Sequence, residues 1–117
     1  MNQSTVNKYK ISFINKMFNV NDGTSFFKKI PFTNNIHLTN FLIDINAIDI
    51  EEYYIPEIDK VLNGIEPEFE TASDSSTIII NPTSAIFLID GVGIDYPEIP
   101  TEDLKEILIG WKDYLKS

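Results

Sequence analysis

Stretches of alternating and of continuous apolar residues predict that strands dominate the first half of the chain. Residues 8–14 alternate between apolar and polar positions, which is typical of a strand with one buried face. Residues 36–50 are apolar almost throughout and predict a central strand, although periodicity alone does not exclude a helix there. Residues 15–35 mix turn-forming residues with phenylalanines, so we expect turns and at most one short strand between these two elements.

A short helix is predicted in the middle of the chain, and Pro56 indicates where it begins. A proline inside a helix removes a backbone hydrogen bond and clashes with the carbonyl four residues earlier, here Glu52, at a cost of about 3 kcal/mol. At the first helical position the same residue is favourable. We therefore expect the helix to begin near Pro56 and to stop at Asn63 and Gly64, with Gly64 in the left-handed conformation. A helix this short depends on the packing of its apolar side chains, Ile58, Val61 and Leu62.

The residues after this helix predict a β-meander. Glutamates alternate with other residues over 66–71, which places three carboxylates on one face of a strand. A serine-rich turn at 73–76 leads into two apolar strands, 77–81 and 85–90, which are joined by a tight connection. Because both strands are apolar on both faces, we expect each to be covered on both sides. The three carboxylates belong to Glu66, Glu68 and Glu70.

The last predicted element is an amphipathic helix over 101–115. Thr101 is a suitable N-cap, acidic residues follow it in the first turn, and lysines lie near the end, as the helix dipole favours. The apolar residues recur at helical spacing and form one stripe that can cover the sheet: Leu104, Ile107, Leu108, Trp111 and Leu115. The whole pattern predicts an α+β fold with one domain over residues 1–117. The predicted fold has a mostly antiparallel sheet, a short middle helix and a C-terminal amphipathic helix packed on the sheet.

Composition narrows the functions that are open to this chain. Its 117 residues include 18 acidic residues and nine lysines but no arginine or cysteine, for a net charge of −9 and a pI near 4.4. A nucleic-acid-binding protein needs a basic surface, so nucleic acid is not expected as a partner. The absence of cysteine excludes disulfides and cysteine-based zinc sites. The N-terminal residues lack the apolar core of a signal peptide and no window is long and apolar enough to span a membrane, so we expect a cytoplasmic protein without a membrane partner.

The negative charge is concentrated in one part of the chain. Residues 1–43 carry a net charge of +4, residues 44–104 carry −14, and residues 105–117 carry +1. Like charges at this density repel one another and lower stability, so they indicate a role in solubility or in binding a partner of opposite charge. A solvated acidic face with no partner explains the pattern equally well.

No catalytic, metal or cofactor site stands out. His37 is the only histidine, and no Gly-x-Ser-x-Gly motif accompanies it, so we expect a half-buried structural residue. Residues 90–95 combine two aspartates with two glycines, but they match neither an EF-hand loop nor a dinucleotide-binding motif and are typical of a turn. The spacing of the acidic residues selects no pair for glycoside hydrolysis. We therefore expect neither enzymatic activity nor a cofactor.

Two stretches of the chain share their pattern with a known kind of protein. The first is residues 55–64, in which a proline opens a short helix that ends at Asn-Gly. The second, residues 98–115, joins a short strand ending in Ile-Pro-Thr to an amphipathic helix with Trp111 near its end. Together they resemble small immunity proteins of bacterial toxin systems, including contact-dependent growth inhibition, over about residues 48–117. The resemblance implies a protein that binds and neutralises a cognate toxin.

The charge pattern fits this implied function. A toxin that cleaves nucleic acid is often basic because its substrate is a polyanion, and an acidic inhibitor can occupy the substrate site. We therefore predict that acidic residues between 49 and 74 bind the toxin, with two tyrosines as aromatic anchors. The predicted partner-binding residues are Glu51, Glu52, Tyr53, Tyr54, Glu66, Glu68, Glu70 and Asp74.

Two other classes of function are open at this stage. An acidic housekeeping or regulatory protein-binding module with no toxin partner would show the same charge pattern, and its acidic residues would confer solubility only. A small hydrolase would act on an ester or a phosphoester and lose that activity on substitution of His37 by alanine.

Overall fold

The computed structural model describes residues 1–74, 76–88 and 98–117 and has an α+β architecture. The helices are α1 (Gln3–Tyr9), α2 (Ile36–Asp44), α3 (Ala47–Asp49), a π-helix (Ile50–Tyr54), α4 (Ile55–Leu62) and α5 (Thr101–Lys116). The strands are β1 (Ser12–Asn19), β2 (Ser25–Phe32), β3 (Phe69–Ala72), β4 (Thr77–Ile80), β5 (Ser84–Leu88) and β6 (Ile99–Pro100). They form two antiparallel sheets, one of order β1-β2 and one of order β3-β4-β5-β6. This arrangement confirms the predicted fold class.

The C-terminal helix covers the four-stranded sheet as predicted. Four residues of the predicted stripe on α5 are at most 2% exposed, and Leu115 is half-buried. They share one apolar cluster with side chains of α2, the π-helix, α4 and the strands β4 to β6. Thr101 does not act as the N-cap that we expected, because Pro100 occupies that position. The Thr101 hydroxyl instead donates a hydrogen bond to the carbonyl of Asn81 (2.6 Å) and ties the helix to the β4–β5 connection.

The predicted strand over residues 8–14 is wrong in its first half, which belongs to α1. The Asn2 side chain accepts a hydrogen bond from the backbone N–H of Ser4 and caps this helix. Lys10 ends it in the left-handed conformation (φ 50°), with its N–H bonded to the carbonyl of Val6. The chain becomes extended only at Ser12.

Residues 15–35 contribute more strand than expected. β1 and β2 have eight residues each and form an antiparallel hairpin in which Ser12 pairs with Phe32 and Asn19 with Ser25. Gly23 has a φ of +87°, which glycine adopts without strain, and the Asp22 carboxylate accepts hydrogen bonds from Thr24.

Residues 36–50 form helices, so the predicted central strand is wrong. The Asn35 side chain caps α2 by accepting hydrogen bonds from the backbone N–H groups of His37 and Leu38. The buried residues of α2 fall at helical spacing: Leu38, Phe41 and Leu42. The cap is therefore the local signal that distinguishes this apolar run from a strand.

The middle helix begins earlier than expected, because the helical backbone is continuous from α3 through the π-helix into α4. The N–H of Ile55 bonds to the carbonyl of Ile50, five residues earlier, and Pro56 follows directly. The wider turn accommodates a proline ring that would meet the carbonyl of Glu52 in a regular α-helix. The predicted end is confirmed: α4 stops at Leu62, and Gly64 has a φ of +74°.

The predicted β-meander is confirmed, with different strand limits. β3 begins only at Phe69, so Glu66 and Glu68 precede the strand, and the predicted face of three carboxylates does not form. Residues on one side of β4 and β5 are buried and those on the other side are half-buried, apart from Ser84 at the edge. The predicted turn over residues 90–95 lies outside the described residues.

Trp111 connects α5 to both the hairpin and α2. Its ring centroid lies 4.9 Å from that of Phe13 in β1, and its indole N–H donates to the carbonyl of Leu42 (2.9 Å). The last four carbonyls of a helix have no partner inside the helix, so the indole satisfies one such group of α2 in a buried position.

We expect Trp111→Phe to lower the free energy of unfolding by at least about 1–3 kcal/mol, because it leaves the Leu42 carbonyl buried without its donor. Urea denaturation measures this change. Tyr114→Phe is the matched control, since the Tyr114 hydroxyl makes no hydrogen bond to the described residues, and we expect it to stay within about 0.5 kcal/mol of the parent. Equal losses in the two variants would contradict the role assigned to the indole.

Asp103 fastens α1 to the first turn of α5. Its carboxylate accepts hydrogen bonds from the Tyr9 hydroxyl (2.6 Å) and the Lys8 ammonium (3.1 Å). Burial acts to raise the pKa of Asp103, but the hydrogen bonds from Tyr9 and Lys8 outweigh it and hold the pKa below its ordinary value. Burial and the bond to Asp103 raise the pKa of Tyr9. A carboxyl group whose pKa is lowered by folding stabilises the protein above its unfolded pKa.

We expect this stabilisation to be lost as the pH falls below about 4, the ordinary pKa of an aspartate. Asp103→Asn should lower stability at pH 7 and flatten its dependence on pH between about 5 and 2. Urea midpoints measured across this range give the comparison. Asp113→Asn makes the same charge change on the same helix and should keep the parental pH dependence. If the two variants give parallel curves, Asp103 does not have this role.

Candidate protein-binding surface

The π-helix contacts β3 through Tyr53, one of the predicted binding residues. The Tyr53 side chain is 45% exposed, and its ring contacts that of Phe69 edge-on at 5.5 Å. Phe69 and Thr71 point inward along β3, so Glu70 points outward, and Glu68, directly before the strand, is exposed as well. β3 and the residue before it therefore carry two exposed carboxylates, and Phe69 between them contacts the exposed Tyr53.

β3 is an edge strand of the described sheet, because β4 is the only described strand that pairs with it. An acidic side chain on an edge strand discourages pairing with other chains and leaves the carboxylate accessible. At the far end of β3, the Ser73 backbone N–H bonds to the carbonyl of Ser76, and the Ser73 hydroxyl donates to Asp44. This turn presents Asp74, which is exposed and forms no ion pair with a described residue.

Glu51 and Glu52 are neighbours in the π-helix with different surroundings. Glu51 pairs with Lys116 (2.7 Å) and more distantly with Lys112 (3.9 Å) on α5. The hydrogen bond from Lys116 lowers the pKa of Glu51. Glu52 is exposed and forms no ion pair within the described residues. Glu51 therefore fastens the π-helix to α5, whereas Glu52 can meet a partner without breaking an existing contact.

Tyr54 belongs to the core, so its predicted role as a surface anchor is wrong. Its side chain is 5% exposed, and its ring contacts that of Phe41 edge-on at 5.3 Å. Burial raises the pKa of its hydroxyl, and a hydrogen bond with Thr71 partly offsets the rise. Successive residues of a helix point in different directions, which places Tyr53 outside and Tyr54 inside.

Glu66 lies apart from the other predicted residues, in the turn after α4. It is half-buried, and its backbone N–H lies 3.4 Å from the carbonyl of Lys60. Lys60 hydrogen-bonds Glu57 (3.1 Å), which raises the pKa of Lys60, and the charge of Glu66 adds to this rise. The Glu66 carboxylate therefore belongs to a local cluster around Lys60.

The acidic stretch of 44–104 does not form one continuous acidic face. Several of its carboxylates are used inside the fold, including that of Asp59, which pairs with Lys105 at 2.6 Å. Glu98 and Glu102 flank β6 at the opposite edge of the sheet from β3. What is left beside Tyr53 and along β3 is a smaller set of exposed acidic residues, Glu52, Glu68, Glu70 and Asp74.

The described residues contain no alternative site of an evident chemical type. His37 is half-buried as expected, although it lies on a helix, and its ring stacks 6.5 Å from that of Phe87. Within the described ranges, no three histidine or acidic residues are close enough to hold a metal ion. None of the described helices is long and apolar enough to cross a membrane.

The exposed apolar residues of the hairpin are the surface feature that the sequence analysis missed. Phe26, Phe27 and Met17 are 48%, 66% and 51% exposed, in a segment for which we expected mainly turns. The sequence does contain a signal for a β-hairpin. The turn-forming residues 21–24, Asn-Asp-Gly-Thr, lie midway between two segments of equal length.

Comparisons with protein-family models, with curated proteins and with solved structures gave no match to this chain.

Alanine substitutions of Tyr53 and Tyr54 should lower the free energy of unfolding by different amounts, because one side chain is exposed and the other is buried. Tyr54→Ala should lower the free energy of unfolding by about 3–5 kcal/mol, as for other buried aromatic residues. Tyr53→Ala should cost about 0.5–1.5 kcal/mol, because it loses the edge-on ring contacts but little buried area. Urea denaturation of both variants measures the difference, and a larger loss for Tyr53→Ala would contradict the assignment.

Proposed function

We propose that this protein is a cytoplasmic immunity protein that binds and neutralises a basic bacterial toxin of the nuclease type. Binding uses the exposed residues beside the contact between the π-helix and β3, which we call the acidic surface: Glu52, Tyr53, Glu68, Glu70 and Asp74. The observation that carries the proposal is that the π-helix and β3, which meet through the exposed Tyr53, carry or border four exposed carboxylates without ion pairs among the described residues.

These carboxylates are better candidates for binding the toxin than the other acidic residues, because they have no ion pair among the described residues. Glu51 and Asp59 already pair with lysines, so a partner's cation would have to replace an existing interaction. The carboxylates of the acidic surface gain a first ion pair on binding. Tyr53 adds a large, rigid side chain of the kind that provides much of the affinity in protein interfaces.

The acidic surface also suits rapid binding. Opposed charges steer two proteins together and raise the association rate, which matters when the partner is lethal. The resemblance to immunity proteins in residues 48–117 supports the proposal independently of charge, since it depends on α4 and α5.

The test uses the toxin domain encoded beside this gene, with rescue of cells that express it and binding kinetics as the two measurements. Glu68→Gln/Glu70→Gln should slow association on the order of tenfold at low salt, and less at high salt, because the two charges act on the encounter step. Glu98→Gln/Glu102→Gln removes the same charge at the opposite edge of the sheet and should have a much smaller effect.

Equal effects of the two double variants, or an association rate that does not respond to salt, would overturn the binding role of the acidic surface. Failure to rescue cells, with no measurable binding, would overturn the immunity function itself. That second result would favour an acidic housekeeping or regulatory protein-binding module.

A further inference from the structure

A groove lies between the hairpin and the C-terminal half of α5, away from β3. Its volume is about 590 Å³, within the range of about 300–1,000 Å³ that is usual for small-molecule sites. Most of its lining is apolar and comes from the hairpin, the end of α2 and α5. The apolar residues include Phe18, Phe27, Ile43, Ile45, Trp111 and Leu115. We call this feature the hairpin groove.

Within the described part of the chain, the contacts that fasten the hairpin to α5 lie at one side of the groove. Phe13 packs on Trp111 and on Tyr114, and the Lys29 ammonium donates hydrogen bonds to the carbonyls of Tyr114 (2.9 Å) and Leu115 (3.2 Å). Further outward on the same face of the hairpin is the pair Met17 and Phe27, both about half exposed or more. Beyond the polar pair Asn15 and Lys29, this face of the hairpin therefore exposes apolar side chains to solvent, where a ligand can cover them.

The charge of the hairpin groove is opposite to that of the whole chain. Among the described residues, its lining contains two lysines and no acidic residue, although the net charge of the chain is −9. Lys29 is used by the end of α5, where a cation stabilises the helix dipole. Lys28 follows Phe27 on the opposite face of β2, but it contributes to the lining at the edge of the groove, is exposed, and makes no hydrogen bond or ion pair with a described residue. One cation at the edge of an apolar groove is thus available to a ligand.

We propose that the hairpin groove binds a single-chain anionic amphiphile, a fatty-acid carboxylate, with its acyl chain against the apolar lining and its carboxylate at Lys28. An acyl chain replaces water on Phe27 and Ile43, which are 66% and 48% exposed without a ligand. The carboxylate gains a cation in a groove whose described lining has no acidic residue. The inference does not rest on the toxin-binding function, because the groove and the acidic surface share no residue.

Trp111 provides the measurement, because it is the only tryptophan and it lines the groove. Octanoate, decanoate and dodecanoate are titrated below their micellar concentrations, with Trp111 fluorescence and calorimetry as readouts. Each methylene group that the groove buries should tighten binding by up to about fourfold. Dodecanoate should bind more tightly than dodecanol and much more tightly than dodecyltrimethylammonium.

Two variants distinguish the contribution of the carboxylate head group to affinity from that of the acyl chain. Lys28→Gln should weaken dodecanoate about two- to fivefold and leave dodecanol unchanged, because an exposed ion pair contributes modestly. Phe27→Ser should weaken both ligands, and its high exposure makes loss of folding unexpected. Lys10→Gln is the matched control for charge, since Lys10 is exposed and does not line the groove.

The proposal is overturned if dodecanoate does not bind below its micellar concentration, or if chain length has no effect on affinity. It is also overturned if sedimentation shows a dimer that Phe27→Ser dissociates, because a second copy of the chain then covers the groove. Binding that is equal for the carboxylate and the alcohol would overturn the assignment of Lys28.

Discussion

The buried indole of Trp111 is the contact on which the arrangement of the whole molecule depends. Its N–H satisfies the carbonyl of Leu42 at the end of α2, and its ring packs on Phe13 at the base of the hairpin. A buried carbonyl needs a donor, so α2 and α5 have little freedom to slide past each other. The hairpin, which is too small to be stable in isolation, takes its position from the same side chain.

A second constraint, the π-helix, decides which side of the middle helix meets solvent. A proline within a continuous helix requires a local widening, and here the widened turn contains Glu51 to Tyr54. The turn sends Tyr54 into the core, Tyr53 to the surface beside β3, and Glu51 toward the lysines of α5. The exposure of Tyr53 in the proposed toxin-binding surface therefore depends on how the chain accommodates Pro56.

The fold decides which charged side chains form ion pairs and which are exposed without one. Several carboxylates of the acidic stretch are paired inside the fold, and those without an ion pair among the described residues include Glu68 and Glu70 at one edge of the larger sheet and Glu98 and Glu102 at the other. The lysines of the first 43 residues are likewise divided, because Lys8 and Lys29 contact α5, while Lys28 lines the hairpin groove and has no ion pair with a described residue. The net charge thus describes neither surface, and each surface depends on which charges the fold has left unpaired.

Local signals in the sequence determined α5, the end of α4 and the order of the meander strands. A helix stop at Asn-Gly, acidic residues in a first turn and an apolar stripe at helical spacing all act within a few residues of one another. The same kind of signal was present for α2 in Asn35 and for the hairpin in Asp22-Gly23, although periodicity suggested a strand for one and mainly turns for the other. Only the tertiary structure decided that Tyr54 is buried, that Glu51 is paired with a lysine 65 residues away, and that the hairpin leaves a groove beside Trp111. These outcomes depend on contacts between distant segments, and periodicity and local spacing do not specify which distant side chains meet.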